Sequence, residues 1–380
     1  MNMRSHLNSA VLDVRKSQIR EFSRLAKETP GCVALTLGEP DFDTPIAVRE
    51  AVSEALSSHE THYIPNPGIP ELRSAIAEHE RALNGMDYDA SEVIVTIGAT
   101  EAIFAALFGV LEPGDEVIIP IPAFSLYEEI VRMCRGIAVP LDTTDDGFQI
   151  NGGKLEALIS HRTKAIILNS PNNPTGCVYN SESLEAVQSA VAGKPVFVIC
   201  DDVYRSLVYD TEYHSFAEFR ELREQIIVIQ SYSKPYAMTG WRMGYLLADS
   251  SVAERLMLVH QYVAVSTPAP FQRACIEALS CDITEMVATY RARRAFMLKR
   301  LSEIGMDVTV PEGAFYLFPS IEKYGLGSGE FCRRMITEAG LAATPGFCFG
   351  SDRHIRLTYC YSDEELEESM MRLEAFVRSI

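Results

Sequence analysis

Short apolar runs alternate with amphipathic stretches between about residues 90 and 250 of the chain. The amphipathic stretches include Glu101–Leu111 and Ser181–Val191, which have the spacing of helices with one buried face. Six apolar runs are predicted to be strands: Val93–Thr96, Glu116–Ile119, Ala165–Asn169, Val196–Asp201, Ile226–Gln230 and Tyr245–Ala248. This alternation predicts an α/β fold in which helices cover both faces of a mostly parallel sheet.

The pattern changes after about residue 280, where a smaller α+β unit is predicted. Its elements are a long helix at Ile283–Glu303, strands at Asp307–Val310, Ala314–Phe318 and His354–Thr358, and helices at Ser328–Glu338 and Ser362–Val377. The turn-rich segment Gly38–Pro45 cannot be one continuous element, so the residues before it are expected to join this unit or to cross between units. We therefore predict a large domain over residues 46–275 and a small domain over residues 1–45 and 276–380.

Composition limits the possible functions. The 380 residues are 47% apolar and 23% charged, which is typical of a soluble globular enzyme. A formal charge of −18 argues against a nucleic-acid partner, because no basic surface is left over to neutralise phosphates. Nine scattered cysteines without a C-x-x-C pair predict reduced thiols and no metal site. No apolar run suits a signal peptide or a membrane span, so the cytoplasm is the predicted location.

The segment Ser231–Gly244 carries the most specific chemistry in the sequence. Lys234 and Arg242 follow the apolar run Ile226–Gln230, which places both just beyond a buried strand. Desolvation at such a position lowers the pKa of a lysine and frees its amine to form an imine. Hydroxyl groups and an arginine provide the hydrogen bonds and charge that a phosphate needs. An aldehyde-binding amine beside phosphate-binding groups indicates pyridoxal 5'-phosphate (PLP), whereas a lysine alone would be read as an ordinary surface residue.

Three further segments follow predicted strands at the same edge of the sheet. The Thr96–Glu101 turn enters a helix, whose N-terminus could bind a phosphate or could simply be a connection. The loop Ser170–Gly176 holds Asn173 between two prolines. Asp201 ends a buried strand and Tyr204 follows three residues later. A buried carboxylate needs a positive partner, and the ring nitrogen of a bound pyridine would provide one.

Over essentially its whole length the chain resembles the class I/II aminotransferases of PLP fold type I. The motifs that carry the resemblance are Gly38–Pro45, Tyr63–Arg73, Asn173–Gly176, Asp201 with Tyr204, Ser231 with Lys234 and Arg242, and His354–Leu357. Their order and spacing make the match specific. The resemblance implies a mostly parallel sheet flanked by helices, with a smaller α+β domain, and the transfer of an amino group between an amino acid and a 2-oxo acid.

The resemblance also implies roles for individual residues. Lys234 would bind the cofactor aldehyde covalently and move the proton between the substrate Cα and the cofactor carbon C4'. Asp201 would pair with the ring nitrogen, and Asn173 and Tyr204 would contact the phenolic oxygen, so Lys234, Asp201 and Tyr204 are the expected catalytic residues. The implied phosphate ligands are Ala99, Thr100, Ser231, Arg242 and, from a second subunit, Tyr63. A homodimer with shared active sites is therefore expected.

Substrate and ring contacts follow from the same resemblance. Arg356 would bind the α-carboxylate, a bidentate contact that suits a guanidinium, together with Asn173 and the backbone of Gly38. Phe124 stands where the family usually has a tyrosine or tryptophan stacked on the cofactor ring. Phenylalanine keeps the stacking but loses any hydrogen bond, and Tyr127 is the next candidate for a polar contact.

The amino-acid substrate is less well defined by the sequence. Val259–Tyr262 and Gly313–Ser320 most resemble N-acetyl-L,L-diaminopimelate aminotransferases, with aspartate and aromatic aminotransferases as alternatives. Glutamate and 2-oxoglutarate are the expected amino pair, although the sequence identifies no arginine for a second carboxylate. A PLP-dependent C–S β-lyase is an alternative, because it uses a similar scaffold. An aminotransferase-like regulatory domain is disfavoured by the acidic charge and by the lack of space for a helix-turn-helix domain before Leu35.

Overall fold

The computed structural model describes residues 3–380 and has helices on both sides of a central sheet. Its α-helices are α1 (Ser9–Leu12), α2 (Gln18–Glu28), α3 (Ile46–Ser57), α4 (Pro70–Asn84), α5 (Gly98–Val110), α6 (Leu126–Met133), α7 (Gly152–Leu158), α8 (Ser181–Val191), α9 (Ser250–Ala264), α10 (Ala269–Ala278), α11 (Thr284–Glu303), α12 (Ser328–Ala339) and α13 (Asp363–Val377). Short 3-10 helices occur at Met3–His6, Ala90–Glu92, Thr144–Asp146, Phe216–Glu218, Arg220–Gln225, Thr239–Trp241, Glu322–Tyr324 and Gly346–Phe349.

The strands divide between one large sheet and two small ones. They are β1 (Val33–Ala34), β2 (Val93–Thr96), β3 (Glu116–Ile121), β4 (Ile137–Asp142), β5 (Thr163–Asn169), β6 (Phe197–Asp201), β7 (Ile226–Ser231), β8 (Gly244–Ala248), β9 (Tyr316–Leu317), β10 (Leu341–Ala342), β11 (Thr344–Pro345) and β12 (Ile355–Thr358). The large sheet has the order β2-β8-β7-β6-β5-β3-β4. In this sheet β8 runs opposite to the other six strands. The predicted fold class, a mostly parallel sheet flanked by helices, is confirmed.

Alternate residues of each central strand enter two different apolar cores. Val93 and Val95 of β2 pack on one face of the sheet, whereas Ile94 packs on the other. In β7, Val228 and Ile227 divide in the same way. This two-sided burial follows from the alternation of side chains along a strand. It explains why these strands read as continuous apolar runs, since both faces are covered by helices.

The structure corrects the predicted strands at two places and shortens a third strand. The edge strand β4 was not predicted, because it contains Pro140 and only its Leu141 is buried. The predicted strand at Asp307–Val310 is wrong, since no strand forms there and Val310 is 57% exposed. The predicted strand at Ala314–Phe318 is shortened to β9. Neither correction affects the strand ends that carry the predicted site residues.

A third apolar core combines the N-terminal segment with the C-terminal elements. Phe22 and Leu35 pack with residues of α11, α12 and α13 in this cluster. β1 pairs in parallel with β10, with Val33 opposite Leu341. This core supports the predicted small domain, and the domain boundaries at residues 45 and 275 stay a prediction. Among residues 3–380, no helix combines the length and apolar character that crossing a membrane requires.

Candidate active site

A cavity of about 420 Å³ lies where β5, β6 and β7 end. It is lined by the following predicted site residues: Gly38, Ala99, Thr100, Phe124, Asn173, Asp201, Tyr204, Ser231, Lys234, Arg242 and Arg356. Tyr63 is the one predicted site residue outside this lining, and it is 93% exposed. The parallel register places Asn169 of β5 beside Asp201 of β6, so the carboxyl ends of these strands share one edge.

One corner of the cavity is built for an anion. The first-turn N–H groups of α5 have no partners within their helix and lie at its positive end. Gly98 has a φ of 68°, and a Cβ at this position would lie 2.6 Å from Arg242 Nη2. The Arg242 backbone is also left-handed, with a φ of 56°, and its Nη1 donates to the Thr239 carbonyl at 2.9 Å. The missing side chain of Gly98 therefore lets the Arg242 guanidinium lie against the start of α5.

Lys234 presents its amine to the middle of the cavity. Its Nζ donates to the Gly38 carbonyl oxygen at 2.6 Å and lies 5.8 Å from the centre of the Tyr204 ring. Burial lowers the pKa of Lys234 to about 8, and the positive charges of Arg356 and Arg242 act in the same direction. About a tenth of the amine is therefore unprotonated at pH 7, far more than for a lysine with an ordinary pKa, and this is the form that a nucleophile or a proton acceptor requires.

Asp201 is buried with only one of its oxygens hydrogen-bonded. The side chain is 4% exposed, and Oδ2 accepts a hydrogen bond from the Tyr127 hydroxyl at 2.5 Å. Oδ1 is buried and has no partner within the described chain. Burial raises the pKa of Asp201 to about 6, against the opposing effect of the Tyr127 hydrogen bond. The free oxygen can accept a hydrogen bond from a cationic N–H group entering the cavity.

Another wall of the cavity contains the buried Arg356, whose guanidinium has fixed hydrogen-bond partners. Arg356 is 3% exposed; its Nη1 donates to Asn173 Oδ1 at 2.8 Å and its Nη2 to the Thr36 carbonyl at 2.6 Å. Its guanidinium lies 4.6 Å from the centre of the Tyr316 ring. The Tyr316 and Tyr204 hydroxyls are hydrogen-bonded at 2.6 Å. These contacts fix Arg356 in one orientation and connect it with the residues around Lys234.

The sequence comparisons agree with this geometry. The profile of the family described as Aminotransferase class I and II matches residues 30–373. The chain belongs to this family. The resemblance inferred from the motifs is thereby confirmed, and the protein is a PLP-dependent aminotransferase.

The alignments with named relatives extend over nearly the whole length of this aminotransferase. A probable N-acetyl-LL-diaminopimelate aminotransferase of Bacillus subtilis is 38% identical over 377 residues, which cover 98% of this chain and 95% of the relative. An aspartate aminotransferase of Pyrococcus abyssi is 38% identical over 375 residues, with 96% of each chain covered. A solved structure of Thermus thermophilus aspartate aminotransferase with maleate has a TM-score of 0.93 at 34% identity and covers 97% of this chain and 99% of its own.

The cavity of the aminotransferase fits PLP in three respects. The buried Asp201 Oδ1 without a partner suits a protonated ring nitrogen. The corner between Arg242 and the start of α5 suits a phosphate. Lys234 suits the aldehyde, because burial lowers its pKa. Phe124 also lines the cavity, as its predicted stacking on the ring requires.

Several residues that line the cavity of the aminotransferase were not predicted. Ser17, Ile19 and Arg20 come from the start of α2, for which the sequence carries no chemical motif. Tyr316 belongs to the segment Gly313–Ser320, whose sequence was informative about a substrate class and not about the site. The contact between Tyr127 and Asp201 gives a partner to the polar group that was expected near Phe124. Among the described residues, no group of acidic, histidine and cysteine side chains could hold a metal ion.

Proposed function

We propose that this aminotransferase moves an amino group between the glutamate/2-oxoglutarate pair and a second amino acid. N-acetyl-L,L-diaminopimelate is our leading candidate for the second substrate, with aspartate and aromatic amino acids as alternatives, as the names of the relatives suggest. The Thermus structure contains maleate, a dicarboxylate like 2-oxoglutarate. The observation that carries the proposal is one cavity that combines Lys234, the free Asp201 oxygen and Arg356.

We assign the chemistry of the reaction to this set of residues. PLP, when bound, supplies an aldehyde that takes up the amino group and a protonated ring that draws electrons away from the substrate Cα. Lys234 Nζ would take the proton from the substrate Cα and deliver it to the cofactor carbon C4'. Asp201 Oδ1 would hold the proton on the ring nitrogen, and Tyr204 would donate to the phenolic oxygen.

The substrate is held by the other wall of the cavity in this proposal. Arg356 binds the α-carboxylate, and its contacts with Asn173 and the Thr36 carbonyl hold the guanidinium in one orientation. The Gly38 backbone lies next to both Lys234 and Tyr316, so it adds a polar contact at the point where the amine enters. A fixed α-carboxylate keeps the substrate Cα within reach of Lys234 Nζ.

We further propose a homodimer in which Tyr63 reaches the phosphate corner of the second subunit. Within its own chain Tyr63 is highly exposed and lies outside the cavity. A large exposed aromatic side chain in this position is consistent with a role in a protein interface. The location in the cytoplasm also stays a prediction.

The test is a panel of amino donors assayed with 2-oxoglutarate, in which glutamate and pyruvate are measured separately. The PLP-loaded wild-type enzyme is expected to form glutamate from at least one amino acid with a second carboxylate. Lys234→Ala should lose turnover by a factor of about 10³ or more, because both the nucleophile and the proton carrier are removed. Lys299→Ala is the matched control, since Lys299 is an exposed lysine on α11.

The outcomes separate the possible functions. Glutamate formation that depends on Lys234 supports transamination. Release of pyruvate and ammonia from a cysteine conjugate without glutamate would instead establish the C–S β-lyase. A purified protein that neither carries nor binds PLP would contradict both.

A further inference from the structure

One cationic side chain of the cavity has no role in the proposed reaction. The charged residues of the lining are Arg20, Lys234, Arg242 and Arg356, with Asp201 as the one acid. The proposed function assigns Arg242 to the phosphate, Lys234 to the aldehyde and Arg356 to the α-carboxylate. Arg20 is the remaining cation, and the cofactor and the common part of an amino acid provide no further anion for it.

Arg20 also has no partner among residues 3–380. In residues 3–380 its guanidinium makes no hydrogen bond or ion pair, whereas Arg24 of the same helix binds Glu28 at 2.7 and 2.9 Å. Arg20 lies in the first turn of α2, where the helix dipole favours acidic side chains. Neither the helix nor a neighbouring acid therefore accounts for a cation at this position.

The position of Arg20 indicates which part of a ligand it can reach. Its side chain is exposed, whereas Arg356 is buried, so Arg20 lies on the open side of the cavity. Ile19, Leu37 and Leu126 line the cavity as well and provide apolar surface. A substrate bound by its α-carboxylate at Arg356 therefore has these apolar groups and Arg20 available for its side chain within the same cavity.

We propose that Arg20 binds a second carboxylate, at the far end of the substrate side chain. The enzyme is then selective for amino acids with an anionic side chain, which include glutamate, aspartate and N-acetyl-L,L-diaminopimelate but not phenylalanine or tyrosine. The inference rests on the proposed function, because it uses the assignment of Arg356 to the α-carboxylate. A guanidinium suits this task, since it binds a carboxylate with two parallel hydrogen bonds.

The experiment compares Arg20→Gln, Arg20→Lys and the wild type, all loaded with PLP. Arg20→Gln should lower kcat/KM for glutamate and 2-oxoglutarate about tenfold or more, mainly through KM, as expected for the loss of a charged hydrogen bond. The value for alanine should change less than about twofold, because alanine has no second carboxylate. Arg20→Lys should recover part of the loss, since it keeps the charge but not the two parallel contacts.

A binding measurement and a matched variant complete the design. Glutarate and pentanoate differ by one carboxylate, and their dissociation constants can be followed by calorimetry. Arg20→Gln should weaken glutarate binding about tenfold and leave pentanoate unchanged. Arg24→Gln is the control, because Arg24 is an exposed arginine one turn further along α2 and does not line the cavity.

Each result decides the inference. A loss confined to dicarboxylates and absent from Arg24→Gln supports it. Three results would overturn the role of Arg20: unchanged kinetics of Arg20→Gln, an equal loss for glutamate and alanine, or the same loss in Arg24→Gln. Wild-type turnover of glutamate would still leave the proposed function intact. A wild-type enzyme that accepts uncharged amino acids but no dicarboxylate would overturn the proposed amino pair together with the inference.

Discussion

Asp201 is a residue whose protonation state depends on what the cavity contains. Its buried Oδ1 makes no hydrogen bond of normal geometry within the described chain. Burial raises the pKa of Asp201 to about 6, against the opposing effects of the Tyr127 hydroxyl and the Val203 backbone N–H. In the unfolded chain an aspartate has a pKa of about 3.9. The unfolded state therefore releases this proton at lower pH, so the contribution of Asp201 to the stability of the folded PLP-free protein falls as the pH rises from about 4 to about 6.

This difference leads to a prediction for Asp201→Asn. In the PLP-free protein the variant should be more stable than the wild type by about 1–3 kcal/mol at pH 8, and the gain should vanish below about pH 4. An asparagine oxygen can still accept the Tyr127 hydrogen bond, so no new unpaired group is required at Oδ2. Urea unfolding of both proteins at several pH values measures the effect.

The cofactor should reverse this gain. In the PLP-loaded protein Asp201→Asn should show no gain in stability, because the wild-type carboxylate then has a cationic partner. Asp307→Asn, at an exposed site outside the cavity, is the control and should change neither form. Equal stability of wild type and Asp201→Asn without PLP would show that the buried carboxylate is satisfied in another way.

The burial of each strand determined whether its sequence could predict it. The six predicted strands of the large sheet have both faces buried, so their sequences are unbroken apolar runs. β4 lies at the edge and is mostly exposed, so its sequence lacks that signal. Asp307–Val310 has an alternating pattern but no neighbouring strand to pair with, and pairing is a tertiary property that local sequence does not contain.

Without the family resemblance, the site residues were also predictable only where they lie next to a buried strand. Asp201, Lys234 and Asn173 were predictable because each lies at the end of a buried strand or in the loop after it and has a side chain that the chemistry needs. Arg20 and Tyr316 reach the cavity from the N-terminal helix and from the small sheet. Arg20 is at least 153 positions away from Asp201, Lys234 and Asn173 in the sequence, and Tyr316 is at least 82 positions away. No local pattern places them beside these residues, so only the folded chain brings them together.

The start of α5 provides a prediction at the level of an element. Gly98→Ala would place a Cβ 2.6 Å from Arg242 Nη2 at a φ of 68°, so the contact between helix and guanidinium would have to open. The variant should bind PLP about tenfold more weakly, because the phosphate corner is displaced. Its affinity for pyridoxal, which lacks the phosphate, should change little. Absorbance titrations of the PLP-free protein with both compounds measure the two affinities.

A second glycine separates backbone strain from this displacement. Gly193 has a φ of 70°, but a Cβ there would have no atom within 4 Å. Gly193→Ala therefore carries the same strain, about 1 kcal/mol, without a clash. It should lower stability and leave PLP affinity unchanged. If both variants bound PLP equally well, the proposed phosphate corner would be wrong.

At the scale of the whole molecule, the cavity in one chain contains every predicted site residue except Tyr63. Asn66, three residues further on, is tied by a hydrogen bond of 2.8 Å from its side chain to the Val265 carbonyl. Tyr262, also exposed, belongs to the helix that ends just before Val265. The two exposed tyrosines thus lie on segments that are connected with each other, as expected for one continuous interface.

If Tyr63 serves the neighbouring cavity, two defective alleles of this gene can complement each other. Hybrids of a Lys234→Ala chain with a Tyr63→Ala chain have one damaged cavity and one cavity that is complete. Purified by two different tags and assayed at low PLP, they should have about half of the wild-type specific activity, more than either parent dimer. Hybrids of Lys234→Ala with Asp201→Asn should stay inactive, because both residues serve the same chain. The phenotype of a Tyr63 variant would therefore depend on which second chain it pairs with. Hybrids no more active than their parent dimers would show that Tyr63 does not serve the neighbouring cavity.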